Sequence, residues 1–254
     1  MRRKKKIRIV LDGLCSETSI VVAATYLLNN FKDKNIAIIH DRTTYGDGLA
    51  NATKAALNAR GVREKLFDSY NRAEQDFSQI VSKLKSQAID ILYIGGYHKQ
   101  IASILRLMRD QGLKTQIMAG DTLADQEFGS LAGPSVDGVL FTFGPDPRKN
   151  PAAASLIARF RAKGIDPEGY TLYAYAALQI WAAAVGNAGT VDSKKVADAL
   201  REGAWDSALG PISFKQNGDV AFKQSAIPFK QQGENRETNW TIYRWGKNGT
   251  YDSL

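Results

Sequence analysis

The strongest constraint in this chain is an alternation of two local patterns. Short apolar runs rich in β-branched residues are separated by stretches whose apolar residues recur at helical spacing. The clearest runs are Asn35-Ile-Ala-Ile-Ile-His40 and Ile89-Asp-Ile-Leu-Tyr-Ile94. They are too short for helices and lack the regular polar alternation of a half-exposed strand, so they predict strands buried on both faces. Further strands are expected at 6–12, 63–67, 115–119 and 138–143. Helices are expected at 18–31, with a Ser16 or Thr18 cap, and at 46–60. Another buries Phe77, Ile80, Val81 and Leu84. A fourth carries Ile101, Ile104, Leu105 and Met108, and a short one spans 121–131. Gly61 and Gly112 read as helix ends, and Asn71 with Glu74 as a capping pair. Strand and helix alternate with short connections, which predicts an α/β fold with a mostly parallel sheet and helices on both faces.

In such sheets ligands bind outside the carboxyl ends of the strands. Three loops leave those ends here, at 41–45, 95–98 and 120–122. They carry Tyr45, Tyr97 and Asp121. Two phenol rings offer flat apolar faces with hydroxyl handles, and a carboxylate neutralises and hydrogen-bonds an ammonium. Together they suit a small zwitterion or amine, held without reacting. The competing reading makes the tyrosines edge packing and Asp121 a helix cap. Their common position at one sheet edge favours the binding reading.

From Pro145 the pattern changes. Helices are expected at 150–163, 171–187 and 193–203, followed by short β segments at 211–214, 226–230 and 239–245. A turn is expected at Gln216-Asn-Gly-Asp219 and a polar loop at 231–238. The 171–187 helix is apolar around much of its circumference, through Leu172, Tyr173, Tyr175, Ala176, Leu178, Trp181 and Ala182, and needs cover.

With 254 residues, 44% of them hydrophobic, the chain can bury a sizeable core. Its apolar runs are far shorter than a membrane span. The single cysteine, Cys15, forms no intrachain disulfide. Lysine and arginine outnumber aspartate and glutamate 34 to 26, but six of those cations lie in the first eight residues. The remainder is nearly balanced, so the basicity belongs to an N-terminal arm. A short arm alone is no nucleic-acid face. It runs into Ile7-Arg-Ile-Val-Leu-Asp12, which alternates and stops, so it reads as a strand rather than an export signal.

Reaction motifs do not appear. There is no Gly-x-Ser-x-Gly elbow and no phosphate-binding Gly-x-x-x-x-Gly-Lys run. Gly46-Asp-Gly48 has Asn51 where a dinucleotide fingerprint needs its third glycine. His40, His98 and Cys15 lack zinc-ligand spacing. An Asp121–Asp125 pair at a helix start more often serves the helix dipole. No nucleophile with its base is found, so the residues point to no enzyme and no cofactor.

Several stretches are similar to the periplasmic leucine/isoleucine/valine-binding proteins, the substrate-binding components of branched-chain amino-acid ABC importers. They are Asn35 through Ala50, Asp76 through Lys85, Ile91 through His98, Gly112 through Met118, Tyr173 through Gln179 and Leu209 through Phe214. The resemblance runs nearly from Gly13 to the end. It implies a two-lobe α/β binding protein that closes on an amino acid and delivers it to a membrane permease, in the periplasm. It also implies that Tyr45 and Tyr97 line the pocket. Asp121 stands where the family usually has glutamate to take the ligand's ammonium, one methylene shorter.

By the same resemblance, 17–144 would be a complete lobe, 1–16 a basic arm with a hinge-proximal strand, and 145–254 the remainder of an incomplete other lobe with hinge crossings. Most of that first lobe's sheet, on the order of a hundred residues, would be absent. Leu14-Cys15-Ser16 as a mimic of a pair from that lobe ranks lower. An alternative is a ligand-sensing regulatory domain on the same fold, like amide sensors or sugar-responsive repressors, which the basic arm mildly favours.

Overall fold

The computed structural model describes residues 17–214, 218, 220–222 and 240–254. The expected 6–12 and 226–230 strands, the 231–238 loop and most of the 216–219 turn lie outside them. From the first described residue the order is α1 (Glu17–Phe31), β1 (Ile36–His40), α2 (Thr44–Asn58), β2 (Leu66–Ser69), α3 (Ser78–Ser86), β3 (Ile91–Gly95), α4 (His98–Asp110), β4 (Gln116–Ala119), α5 (Gln126–Ala132) and β5 (Leu140–Phe143). There follow α6 (Ala154–Arg161), α7 (Thr171–Ala188), α8 (Ser193–Glu202), β6 (Ala204–Trp205), β7 (Ile212–Phe214) and β8 (Val220–Phe222). The chain ends with β9 (Thr241–Trp245) and β10 (Tyr251–Ser253).

The chain divides into two compact units. The larger, described over 17–144 and 240–254, is built on a seven-stranded sheet in the order β10-β9-β5-β4-β3-β1-β2. Strands β1 to β5 are mutually parallel, and β9 and β10 add antiparallel at one edge. The core on one face joins Ile36, Ile38, Ile91, Tyr93 and Met118 to Ala23, Ala24 and Leu27 of α1 and Leu49, Ala50 and Leu57 of α2. The alternate residues Ala37, Ile39, Leu92 and Ile94 are equally buried and face the other way. On that side α4 buries Ile101, Ile104, Leu105 and Met108, and α3 buries Ile80, Val81 and Leu84. The strand order reverses between β1 and β3, which makes their carboxyl ends the topological switch point.

Several expectations are corrected. Residues 240–254 do not belong with the segment after Pro145: β9 pairs with β5, from Leu140 opposite Arg244 to Phe143 opposite Thr241. The 41–45 loop is shorter, because α2 begins at Thr44 and takes in Tyr45. Thr43 is the cap, its hydroxyl accepting from Gly46 N at 3.0 Å. The Asn71–Glu74 pair forms, with Asn71 N donating to Glu74 at 3.1 Å, but it closes a turn ahead of α3. The 121–131 helix is two pieces, a 3-10 turn at Asp121–Ala124 and then α5. Asp125 breaks the run by capping α5 through Glu127 N. The 150–163 helix likewise opens with a separate 3-10 turn at Pro151–Ala153.

The smaller unit packs α7 and α8 against the antiparallel sheet β6-β7-β8 through Ile180, Ala184, Val196, Leu200, Trp205, Ile212 and Phe214. Leu172 and Ala176 of α7 join Leu156 and Ile157 of α6. The opposite face of α7 stays apolar and open to solvent, with Leu178 67% and Trp181 50% exposed.

Candidate functional site

The site begins with the ends of three adjacent parallel strands. After β1, the Asp41 carboxylate oxygen Oδ1 accepts from Thr43 N at 3.0 Å and from the Thr43 hydroxyl at 2.6 Å. This ties the loop into the α2 cap and turns Tyr45 back over the sheet edge. The first turn of α2 then lies against the end of β3. A Cβ on Gly95 would collide with the Gly46 carbonyl, and one on Gly46 with Asp41 Oδ1. Both positions therefore demand glycine by close approach of backbone to backbone.

The three side chains named from the sequence come together here. The Tyr45 hydroxyl donates to Asp121 Oδ1 at 2.7 Å. The Tyr45 and Tyr97 rings are 5.3 Å apart between centroids and inclined at 45°. Asp121 is 3% exposed, and both tyrosines are half-buried. Burial, and then the Asp121 charge and hydrogen bond, push the Tyr45 phenol well above its ordinary range, so it stays a donor. Gly120 makes room: a Cβ there would lie 2.5 Å from the Tyr45 hydroxyl oxygen and 2.8 Å from Leu49 Cδ1.

Other residues complete the site that sequence patterns did not mark. The Arg72 guanidinium lies 4.3 Å from the centre of the Tyr97 ring, a cation–π contact on one of its faces. Thr122 donates from its hydroxyl to Gly96 O at 2.9 Å, tying the loop after β4 to the loop after β3. The turn carrying Asp121 is held from below by the antiparallel edge. Trp245 Nε1 donates to Leu123 O at 3.0 Å and the Tyr251 hydroxyl to Ala124 O at 3.1 Å. Nothing local in the sequence links residues 123 and 245; β9 must first pair with β5.

A second buried polar group lies behind the glycines. Asp41 is 1% exposed and its Oδ2 has no partner; the buried Tyr70 hydroxyl, whose ionisation burial and then Asp41 oppose, also has none. Chemically, the arrangement offers one fixed carboxylate, an aromatic wall and hydroxyl donors. That is equipment for holding a small cationic or zwitterionic group.

Residues 16–233 match a family model described as periplasmic binding protein. The chain is 47% identical over 236 residues to a Leu/Ile/Val-binding protein homolog 1 of Brucella suis, covering 92% of this chain and 60% of that protein. It is 43% identical over 221 residues to a Leu/Ile/Val-binding protein homolog 2 of Brucella abortus, covering 87% and 60%. Among solved structures, a leucine-binding protein of Thermotoga maritima superposes with a TM-score of 0.74 at 26% identity, over 93% of this chain and 65% of that one. The chain thus spans about 60% of the length of the curated relatives it matches.

Proposed function

The chain belongs to the periplasmic binding protein family, and from that premise we propose that it captures a small amino acid, of the branched-chain class or a close analogue, for an ABC permease. The capture is non-covalent and the chain is no enzyme. Asp121 receives the ligand's ammonium group, and Tyr45 and Tyr97 form the wall beside it. The periplasm is the compartment this reading requires.

The observation that carries the reading is the joining of Tyr45, Tyr97 and Asp121 at the switch point of the sheet. The Tyr45 hydrogen bond fixes the Asp121 carboxylate before any ligand arrives, which lowers the ordering cost of binding. A carboxylate has roughly four acceptor directions, and in this reading the ammonium takes one beside the Tyr45 hydroxyl. Aspartate sets the charge one methylene further back than glutamate would, which favours a ligand that reaches deeper toward the sheet edge. Relatives named as Leu/Ile/Val-binding supply the ligand class.

Calorimetric titration of the purified chain with leucine, isoleucine and valine tests this. The expected result is saturable binding of at least one of them, weakened tenfold or more in Asp121→Asn, with circular dichroism showing the variant still folded at the titration temperature. Equal affinity in the parent and Asp121→Asn, or no binding of any of the three, would overturn it.

A further inference from the structure

At the outer flank of the same loops, the first turn of α4 and the start of α5 bring together His98, Asp125 and Glu127. One imidazole nitrogen and a carboxylate oxygen from each acid all lie within 4.8 Å of one another. His98 Nε2 is 2.8 Å from Glu127 Oε2. We propose that these three side chains form a binding site for a divalent first-row transition metal, with Zn2+ the natural probe.

The donor set argues for that class of ion. One imidazole with two carboxylates is a borderline nitrogen–oxygen set, suited to zinc, cobalt or nickel rather than to soft cuprous ion or to calcium, which prefers oxygen alone. Ligand atoms at 2.0–2.1 Å from a tetrahedral centre stand roughly 3.3 Å apart. The three ligand atoms here lie within 4.8 Å of one another, and His98 Nε2 and Glu127 Oε2 are 2.8 Å apart. Three protein ligands leave a coordination position for water.

The backbone beneath is fixed. Ile101, Ala102 and Leu105 of α4 and Phe128 and Ala132 of α5 are buried, so the two helix starts cannot drift apart. Asp125 is further held because its Oδ1 accepts from Glu127 N at 2.9 Å. Among the described residues, the Lys99 ammonium is recorded at this cluster, its Nζ 3.0 Å from Glu127 Oε1. The Lys99 side chain is 60% exposed, so this contact is weak and easily exchanged for a metal ion. Sequence inspection misses the site because its donors come from two helices rather than one spaced motif.

The site stands on its own geometry, but its position has a consequence for the ligand site. His98 directly follows Tyr97, and Asp125 lies one helical turn's length beyond Asp121. A bound ion would clamp the loops after β3 and β4 to each other. Thr122 already joins them through Gly96 O.

The test is titration of the chelator-treated full chain with ZnCl2, followed by Co2+ absorption to report the coordination sphere. One site is expected, saturating at one Zn2+ per chain. His98→Ala and Glu127→Gln should weaken it tenfold or more. Lys99→Ala should tighten it several-fold, an outcome that misfolding cannot imitate. His40→Gln and Cys15→Ser remove the chain's other imidazole and its thiol, and both should leave binding unchanged. Absence of one-to-one binding overturns the proposal. So does parent-like affinity in His98→Ala, or weaker binding in Lys99→Ala. None of these outcomes depends on whether an amino acid binds.

Discussion

The Tyr45 hydroxyl and the Asp121 carboxylate meet across 2.7 Å although they are 76 residues apart in the chain. One belongs to the helix after β1 and the other to the turn after β4, with β3 between those strands in the sheet. The bond therefore spans the sheet edge at the switch point. Tyr45→Phe keeps the ring against Tyr97 and removes only the hydroxyl. Hydrogen bonds to charged groups contribute about 1.5–3 kcal/mol, so a loss of that size is expected in urea unfolding. A double-mutant cycle with Asp121→Asn should show the two losses falling short of additive by 0.5 kcal/mol or more, as roughly expected for residues in direct contact. Strict additivity would deny the bond a role in stability.

The same bond predicts behaviour in alkali. Burial, then Asp121, raises the Tyr45 phenol, and burial, then Asp41, raises Tyr70. A group whose folded pKa is raised contributes stability that is complete below its unfolded value, about 10 for tyrosine. That stability is lost as the pH climbs from there toward the folded value, because the unfolded chain releases the proton first. Urea midpoints should fall as pH rises above about 10, and Tyr45→Phe should flatten that fall. Phenolate absorbance should place Tyr45 and Tyr70 among the tyrosines that titrate only on unfolding, and Tyr45→Phe should reduce the amplitude released there.

Gly95 and Gly48 make a matched pair. A Cβ at Gly95 enters the Gly46 carbonyl, which is backbone and cannot swing aside. Gly95→Ala is expected to cost about 3 kcal/mol, near the top of the overpacking range, and to separate α2 from β3. Gly48, in the same helix, has nothing within 4 Å of its virtual Cβ. There the helix gains from alanine, and Gly48→Ala should stabilise by roughly 0.5–1 kcal/mol. Opposite signs in thermal melts of the two variants check the argument.

The antiparallel edge reaches the site through Trp245. Its indole N–H satisfies the buried Leu123 carbonyl, and its ring fills the space beside Gly129. Trp245→Phe strips the donor and leaves a gap, for an expected loss of about 2–4 kcal/mol. If Asp121 takes the ligand's ammonium, affinity should fall in the same variant while Tyr97 keeps its contact with Arg72. Calorimetry beside urea unfolding separates the two effects.

These residues also show what the sequence could and could not disclose. Strands β1 and β3 were legible because their residues are buried on both faces and so are nearly all apolar. The rule that sites form at carboxyl strand ends then brought Tyr45, Tyr97 and Asp121 to one edge, where the structure joins them. Their side-chain chemistry at those strand ends suggests a small zwitterion or amine, and family resemblance adds the expectation of an amino acid. Periodicity places Tyr45 in a loop because the Asp41–Thr43 hydrogen bonds that start α2 early involve side-chain geometry, which periodicity does not carry. The pairing of β9 with β5 was hidden because a strand's sequence does not name its neighbour. Arg72, Thr122 and the Asp41–Tyr70 pair depend on that assembled edge, so no local pattern marks them.

A last prediction concerns a helix end. Gly61, Gly112 and Gly164 each follow a helix with φ between 73° and 79°. In each, the glycine and the next residue donate back into the final turn, as Gly61 N does to Asn58 O and Val62 N to Leu57 O. The end of α3 makes the same pair of bonds, Ala88 N to Lys85 O and Ile89 N to Leu84 O, but with alanine at φ 48°. Left-handed backbone costs a residue with a Cβ roughly 1–2 kcal/mol. Glycine removes that strain but loosens the unfolded chain by about 0.4–1 kcal/mol. Ala88 is exposed, so its methyl contributes little packing to set against this. Relief of strain wins, and Ala88→Gly should stabilise by roughly 0.5–1 kcal/mol in urea unfolding. A destabilised variant would mean that the αL strain at Ala88 is smaller than its backbone angle implies.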